Sequence, residues 1–387
     1  MNYNFDEEIM REGTDCLKYD KREFFFGKAD VLPLWVADMD FRSPDFVIRA
    51  LRERLDHEIL GYSFRPDDYA EAIKNWLFRR HGWTIDPSWL SFSPGVVAGL
   101  TLAVETFSQK GDEVIIQPPV YFPFFDSVRK TGRTLIENPL KIENGRYTFD
   151  LEDLKKKITP ATKMLLLSNP HNPGGTVWTR DELKALTDCC LANDIFIVAD
   201  EIHSDLVFRE HRHIPLPTIS EEVARHCVVC SAPSKTFNLA GLTTSFLVIP
   251  DRENLEKYEA TLHTPHLHMG NLFGNIALKV AYNQGDEWLS QLLDYLQENY
   301  NFLESFFQEH LPQVVPMKPE ATYLVWVDFS AFGLSDKQLN QQIIDAGVGL
   351  NQGIQFGKQG SGYMRINIGC TRATLRKALE CIVKAFQ

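Results

Sequence analysis

Five short apolar runs constrain this chain more than anything else in it. They are EVIIQPP at 113–119, KMLLLSNP at 163–170, IFIVADEIH at 195–203, HCVVCSAPSK at 226–235 and TSFLVIP at 244–250. Each is rich in Val, Ile, Leu or Phe and ends on Pro, Asn, Asp or Ser, the signature of a short strand. Polar residues do not alternate with the apolar ones, so both faces of each strand need cover. Helical patterns lie between them, such as TRDELKALTDCCLAND at 179–194, which opens on a Thr cap and a first-turn acid pair. Strands of this kind alternating with helices predict an α/β fold, a parallel or mixed sheet covered by helices on both sides. In such sheets a ligand sits beyond the carboxyl ends of the strands. The polar residues at those ends are Tyr121, Asn172, Asp200 with His203, and Ser234 with Lys235.

The texture changes near residue 285. A long amphipathic stretch, EWLSQLLDYLQENYNFLESFFQEH, leads into TYLVWVDFS, SDKQLNQQIIDAG, GYMRINIG and TRATLRKALECIVKAF. That is helix, strand, helix, strand, helix, an α+β pattern. A chain of 387 residues is also long for one core. The expected division is a large unit over 40–284 and a smaller α+β unit made of 1–39 and 285–387.

Several function classes are disfavoured. A formal net charge of −12 is the wrong sign for sequence-independent nucleic-acid binding. No run of about 18 apolar residues is present, so no membrane-spanning helix is expected, and MNYNFDEEIMREGTD lacks the pattern of a signal peptide. Seven scattered cysteines fit reduced thiols and a cytoplasmic protein. The CxxC of Cys227 and Cys230 lies inside a strand-like run, whereas a redox motif opens a helix. The pairs His211/His213 and His266/His268 come without accompanying Cys or carboxylate spacing, so no metal is expected.

Four features converge on one chemistry. Pro94-Gly95 precedes an apolar-periodic helix, SPGVVAGLTLAVETF at 93–107, whose start suits a phosphate. Asn172, in SNPHNPGG, offers an amide donor at a strand end. Asp200, in VADEIHSD, ends an apolar strand and suits a protonated ring nitrogen. Lys235, in SAPSKTFNLAG, also lies just past a strand, and a pocketed lysine can form a Schiff base with an aldehyde. Phosphate cradle, carboxylate, amide donor and lysine together are what pyridoxal 5′-phosphate requires. Tyr121 is placed to cover the ring. Arg365, in GYMRINIGC, is a candidate clamp for an amino-acid carboxylate.

These motifs resemble the fold-type-I pyridoxal-phosphate enzymes of the aminotransferase superfamily, and within it the PatB/MalY-like cystathionine β-lyase family of carbon–sulfur lyases. The matching stretches are LPLWVADMDF, GYS, FSPGVV, QPPVYFPF, NPHNPGG, DEIHSDL, APSKTFNLAGL and MRINIGC, nearly end to end. The resemblance implies that Lys235 holds the cofactor and moves the Cα proton, and that Asp200 pairs with the ring nitrogen. It implies Asn172 on the phenolic oxygen and Tyr121 stacked on the ring. Gly95, Val96, Val97 and Ser234 would bind the phosphate, Arg365 the substrate carboxylate. Tyr62 would reach the phosphate of a neighbouring subunit, which implies a homodimer with shared sites. Two positions depart from typical aminotransferases: Thr243 stands where they carry a phosphate-anchoring arginine, and His203 where a tyrosine meets the phenolic oxygen. Both agree with the β-lyase branch. The expected reaction is β-elimination of a cysteine S-conjugate such as cystathionine to a thiol, pyruvate and ammonia, with transamination the alternative. Some relatives also bind a regulatory protein partner, and no segment here identifies such a surface.

Overall fold

The computed structural model describes residues 2–387. All five apolar runs become strands of one sheet. With two others they give β1 (Leu90–Ser93), β2 (Glu113–Ile116), β3 (Thr134–Glu137), β4 (Thr162–Ser168), β5 (Phe196–Asp200), β6 (Cys227–Ser231) and β7 (Ser245–Val248). Their order across the sheet is β1-β7-β6-β5-β4-β2-β3. β7 runs antiparallel to β1 and β6, and all other pairings are parallel. The sheet is therefore mixed and mostly parallel. Residues 232–244, between β6 and β7, form only a short helix (Pro233–Thr236) and one 3-10 turn (Ala240–Leu242). Neither is long enough to cross a face of the sheet, so the chain folds back and β7 returns antiparallel.

Both faces of the sheet are covered, as the uninterrupted apolar runs require. Successive side chains of a strand point to opposite faces. Val114, Ile116, Leu166, Val198 and Val228 enter a core with helix α1 (Val96–Phe107), while Ile115, Leu165, Ile197, Ala199 and Val229 enter a larger one. Helix α2 (Arg180–Leu191) starts on a capping box in which Thr179 and Glu182 satisfy each other's backbone N–H.

The later part of the chain builds a second sheet. Its strands are β8 (Val315–Pro316), β9 (Leu324–Asp328), β10 (Asn351–Gln352) and β11 (Tyr363–Asn367), antiparallel in the order β8-β9-β11-β10. Helices α3 (Asp286–His310) and α4 (Arg372–Phe386) accompany it. Leu32–Pro33 pairs in parallel with Val348–Gly349, and residues 35–41 then run as an irregular, bent strap toward the first sheet.

Among the described residues no helix is long and apolar enough to cross a membrane. All seven cysteines are free. Neither HxH pair lies in a strand, and among the described residues no cluster of three or more His, Cys, Asp or Glu is placed to hold a metal.

Candidate active site

A cleft of about 150 Å³, open at its mouth, lies at the carboxyl ends of β4, β5 and β6. Its walls include Gly95, Val96, Val97, Tyr121, Asn172, Asp200, His203, Ser234 and Lys235. Residues more than a hundred positions apart thus meet in one place, because parallel strands end on the same side.

The phosphate-suited end is formed where β1 passes into α1. Gly95 sits at φ +103, a conformation other residues rarely adopt, and no atom lies within 4 Å of where its Cβ would be. The first-turn N–H groups that follow have no partner within the helix. Ser234 stands at the start of the short helix that carries Lys235. Thr244 also lines the cleft.

Asp200 is the last residue of β5 and is 6% exposed. Ile202 N donates to its Oδ1 at 3.1 Å. Among the described residues it makes no ion pair within 4.0 Å. Burial pushes its carboxyl up to about 7, against the opposing pull of the Ile202 N–H and the Lys235 charge. Lys235 is pushed the other way. Burial lowers its amine to about 8; Asp38 and Asp200 oppose the shift and Arg365 adds to it. Its Nζ donates to the Ala37 carbonyl at 2.6 Å. His203 is lowered to about 3, by burial first and then by the charges of Lys235 and Arg365, so its ring is neutral at physiological pH. His203 Nδ1 is buried with no partner.

Arg365, on β11, reaches the cleft from the second sheet. Its Nη1 donates to Asn172 Oδ1 at 3.1 Å, and its Nη2 to the Trp35 carbonyl at 3.0 Å and Asn351 Oδ1 at 2.7 Å. Its guanidinium lies 4.9 Å from the centroid of the Phe356 ring. Burial lowers it to about 10, which leaves it charged in any neutral buffer. Its Nε is buried and unpartnered, so donors remain for an incoming carboxylate. Because Arg365 takes the Asn172 oxygen, the Asn172 Nδ2 is the end left to donate. Tyr121 is half-buried, and burial raises its phenol.

Tyr62 is not brought to this cleft. It is 97% exposed and borders a separate surface hollow with Gly61, Ser63, Met269 and Gly270.

Several groups here were not singled out from sequence. Ala37, Ser168, Ile202, Ala240 and Thr244 line the cleft, and Thr243, noted only as a departure, lines it too. Tyr323 Oη donates to the Ala37 carbonyl at 2.9 Å. Ala37 acts through its backbone, which no side-chain motif can signal, although LPLWVADMDF was a matching stretch. Behind the cleft lie two more buried carboxylates, both on the turn after β5. Glu201 accepts from Asn169 Nδ2 at 3.0 Å and Leu216 N at 2.9 Å and pairs with His213 at 2.8 Å. Asp205 accepts from Trp76 and Thr236 and meets His81 at 3.1 Å. His213, one half of an HxH pair, thus has a structural partner.

The residues fit pyridoxal 5′-phosphate. A buried carboxylate without an ion-pair partner, a neutral ring with an orphaned nitrogen and a half-buried lysine amine surround one cleft. A flat heterocycle bearing a cationic nitrogen, an aldehyde and a phosphate has a complementary group for each.

The aminotransferase class I and II family model matches residues 29–382. The chain is 45% identical over 384 residues to cystathionine β-lyase PatB of Bacillus subtilis, covering 99% of each chain. It superposes on a pyridoxal-phosphate-bound C-S lyase from Staphylococcus hominis with TM-score 0.93 at 35% identity, covering 100% of this chain and 98% of that one. It also superposes with TM-score 0.98 at 44% identity on a pyridoxal-phosphate-bound protein of Clostridium difficile 630 provisionally described as an aminotransferase, covering 100% of both chains.

Proposed function

The chain belongs to the class I and II aminotransferase family, and on that premise we propose that it is a pyridoxal-phosphate-dependent carbon–sulfur lyase. It eliminates the thiol from cystathionine or another cysteine S-conjugate and yields pyruvate and ammonia. The observation that carries this is the cleft itself. Lys235 and Asp200 face each other's field in a buried pocket, and the positions that would favour transamination hold Thr243 and His203. The 45% identity to a cystathionine β-lyase along nearly the whole chain supports the same branch.

When bound, the cofactor supplies an electron sink for negative charge at the substrate Cα. The protein's residues do the rest. Arg365 takes the substrate carboxylate; three of its N–H groups are already committed to Asn172, Trp35 and Asn351, so the guanidinium is preorganised. The Lys235 amine, lowered to about 8, keeps an appreciable neutral fraction near neutral pH and accepts the Cα proton. Asp200 would hold the ring nitrogen as a cation, and that charge would in turn relieve the cost of its own buried carboxylate. Asn172 Nδ2 would donate to the ring oxygen. Gly95, Val96, Val97 and Ser234 would receive the phosphate, and Tyr121 would cover the ring. The Cβ–S bond breaks, sulfur leaves with the bonding pair, and the three-carbon remainder is hydrolysed to pyruvate and ammonia.

The working unit in this reading is a homodimer. Ile59, Leu60, Tyr62 and Phe64 are each more than 60% exposed in one surface run, a cluster of apolar side chains that a partner subunit would cover. Tyr62 would serve the partner subunit's phosphate. The division at 40–284 against 1–39 with 285–387 draws support from Phe5, whose ring packs 5.8 Å from that of Trp288. Seven free cysteines suit a reducing, cytoplasmic setting.

The test is to incubate purified protein with L-cystathionine and measure pyruvate. Pyruvate without glutamate from added 2-oxoglutarate is the expected outcome; glutamate formation without pyruvate sinks the lyase reading.

A further inference from the structure

The strap at residues 35–41 is gripped by Arg365 and Lys235 together with Asn238, Tyr323 and Asn367. Arg365 Nη2 donates to Trp35 O at 3.0 Å, Asn367 Nδ2 to Val36 O at 2.6 Å and Asp38 O at 2.7 Å, and Asn238 Nδ2 to Met39 O at 2.9 Å. Ala37 O, in the middle, accepts from both Lys235 Nζ at 2.6 Å and Tyr323 Oη at 2.9 Å. The outer side of the strap is held by a different device. Arg11 grips both oxygens of Asp38, at 3.1 and 2.7 Å, and Asp40 Oδ1 at 2.7 Å. Lys18, 0% exposed, donates to both oxygens of Asp40 at 3.1 and 3.0 Å and lies 3.6 Å from Asp38. The Lys18 carbonyl accepts from Trp35 Nε1 at 3.1 Å.

We propose that Arg11 and Lys18 are positioning residues for Lys235: through Asp38 and Asp40 they fix the strap, place the Ala37 carbonyl against the amine, and offset the negative charge that Asp38 directs at it. An ion cluster buried at Lys18 and Asp40 and half-buried at Arg11 and Asp38 is a poor way simply to hold a loop, since packed apolar side chains do it as well. What such a cluster adds is fixed register and fixed charge. The cluster sets two cations against two carboxylates, so the field of Asp38 is partly offset. The other groups facing Lys235 are Asp200 and His203 from the end of β5, Arg365 from β11 and Tyr323 from the start of β9. Asp38 is the largest charge contribution to the Lys235 amine and stabilises its protonated form. Loss of Asp38 therefore lowers the amine's titration, and loss of Arg11 raises it, because Lys18 still holds Asp40 while Asp38 is less well offset.

The inference rests on the reading of Lys235 as the cofactor lysine. The experiment follows uptake of pyridoxal 5′-phosphate by cofactor-free protein against pH, with thermal midpoints of the same samples. The uptake rate rises as the Lys235 amine loses its proton. In Asp38→Asn the midpoint of that rise should fall, and in Arg11→Met it should climb, each by about half a pH unit. In the double variant the Arg11→Met rise should shrink, because most of the Arg11 effect on the amine runs through Asp38, its other contacts being Asp40 and the Met39 carbonyl. Thermal midpoints that drop while the pH midpoints stay put would reduce the cluster to a structural brace and overturn the proposal. An Arg11→Met shift that persists undiminished in the Asp38→Asn background would also overturn it. If Arg11→Met does not fold, Asp38→Asn decides alone: an unmoved midpoint rejects the proposal. Failure of the unaltered protein to take up cofactor at all would instead reject the reading of Lys235, and this inference with it.

Discussion

Arg365 Nη1 donates to Asn172 Oδ1 across 3.1 Å, between residues 193 positions apart. One stands on the antiparallel sheet, the other past the end of a parallel strand. The bond joins the proposed carboxylate clamp to the proposed donor for the cofactor's ring oxygen, so substrate and cofactor share one polar connection.

Arg365→Lys keeps the charge and loses the fork. A lysine cannot hold Asn172, Trp35 O and Asn351 at once and still present a fixed pair of donors. In pyruvate-release kinetics kcat/KM should drop about 100-fold, mostly through KM. An unchanged KM would show that the substrate carboxylate binds elsewhere.

How much of this was readable beforehand differs residue by residue. Lys235, Asp200 and Asn172 could be found because each is a polar residue just past an uninterrupted apolar strand, and sheet geometry puts such positions at the ligand end. The antiparallel course of β7 could not, since TSFLVIP looks the same in either direction. His213 stood in an HxH pattern suggestive of metals, and only tertiary packing reveals Glu201 beside it. Ala37 and Trp35 act through carbonyls, which every residue has. Arg11, Lys18, Asp38 and Asp40 are common charged residues, and their meeting depends on how the N-terminal segment folds over the strap.

Asp200 makes the stability of the cofactor-free protein pH-dependent. Its folded-state value is raised from 3.8 to about 7. Between those values the folded chain keeps a proton that the unfolded chain has released. Stability from this group is therefore highest below the unfolded value and is lost as pH rises toward 7. Asp200→Asn should remove the loss, leaving the cofactor-free variant more stable than the unaltered protein at pH 8 by about 1–3 kcal/mol, and no more stable near pH 4. Urea midpoints at the two pH values check it. An equal gain at both would point to packing rather than charge. The same variant should lose nearly all lyase turnover.

Tyr62 and Lys235 should complement each other between chains. If Tyr62 serves its partner's site, a mixed dimer of a Lys235→Ala chain with a Tyr62→Ala chain contains one intact site. Random mixing then restores about a quarter of full activity, because half the dimers are mixed and half their sites are whole. Neither homodimer alone should approach this. If Tyr62 acts within its own chain, every site carries one lesion and mixing restores nothing. Pyruvate production after co-refolding distinguishes the two.

Thr243 is held at φ 43, ψ 49, a left-handed conformation that a β-branched residue resists. It lies at the cleft, beside Thr244. Strain of this kind costs on the order of 1–2 kcal/mol and is tolerated where the surrounding structure dictates it. Asparagine adopts the same conformation more readily, so Thr243→Asn should raise the urea midpoint of the cofactor-free protein, by about 1 kcal/mol in stability. If the strain serves to aim the Thr243 side chain at the cofactor, the same variant should release pyridoxal 5′-phosphate faster on dilution. Thr243→Gly relieves the strain as well but gains less, because glycine adds freedom to the unfolded chain. Stability that rises in neither variant would mean that the turn, not the residue, sets the conformation at no cost. Stability that rises with cofactor release unchanged would separate the strain from the site.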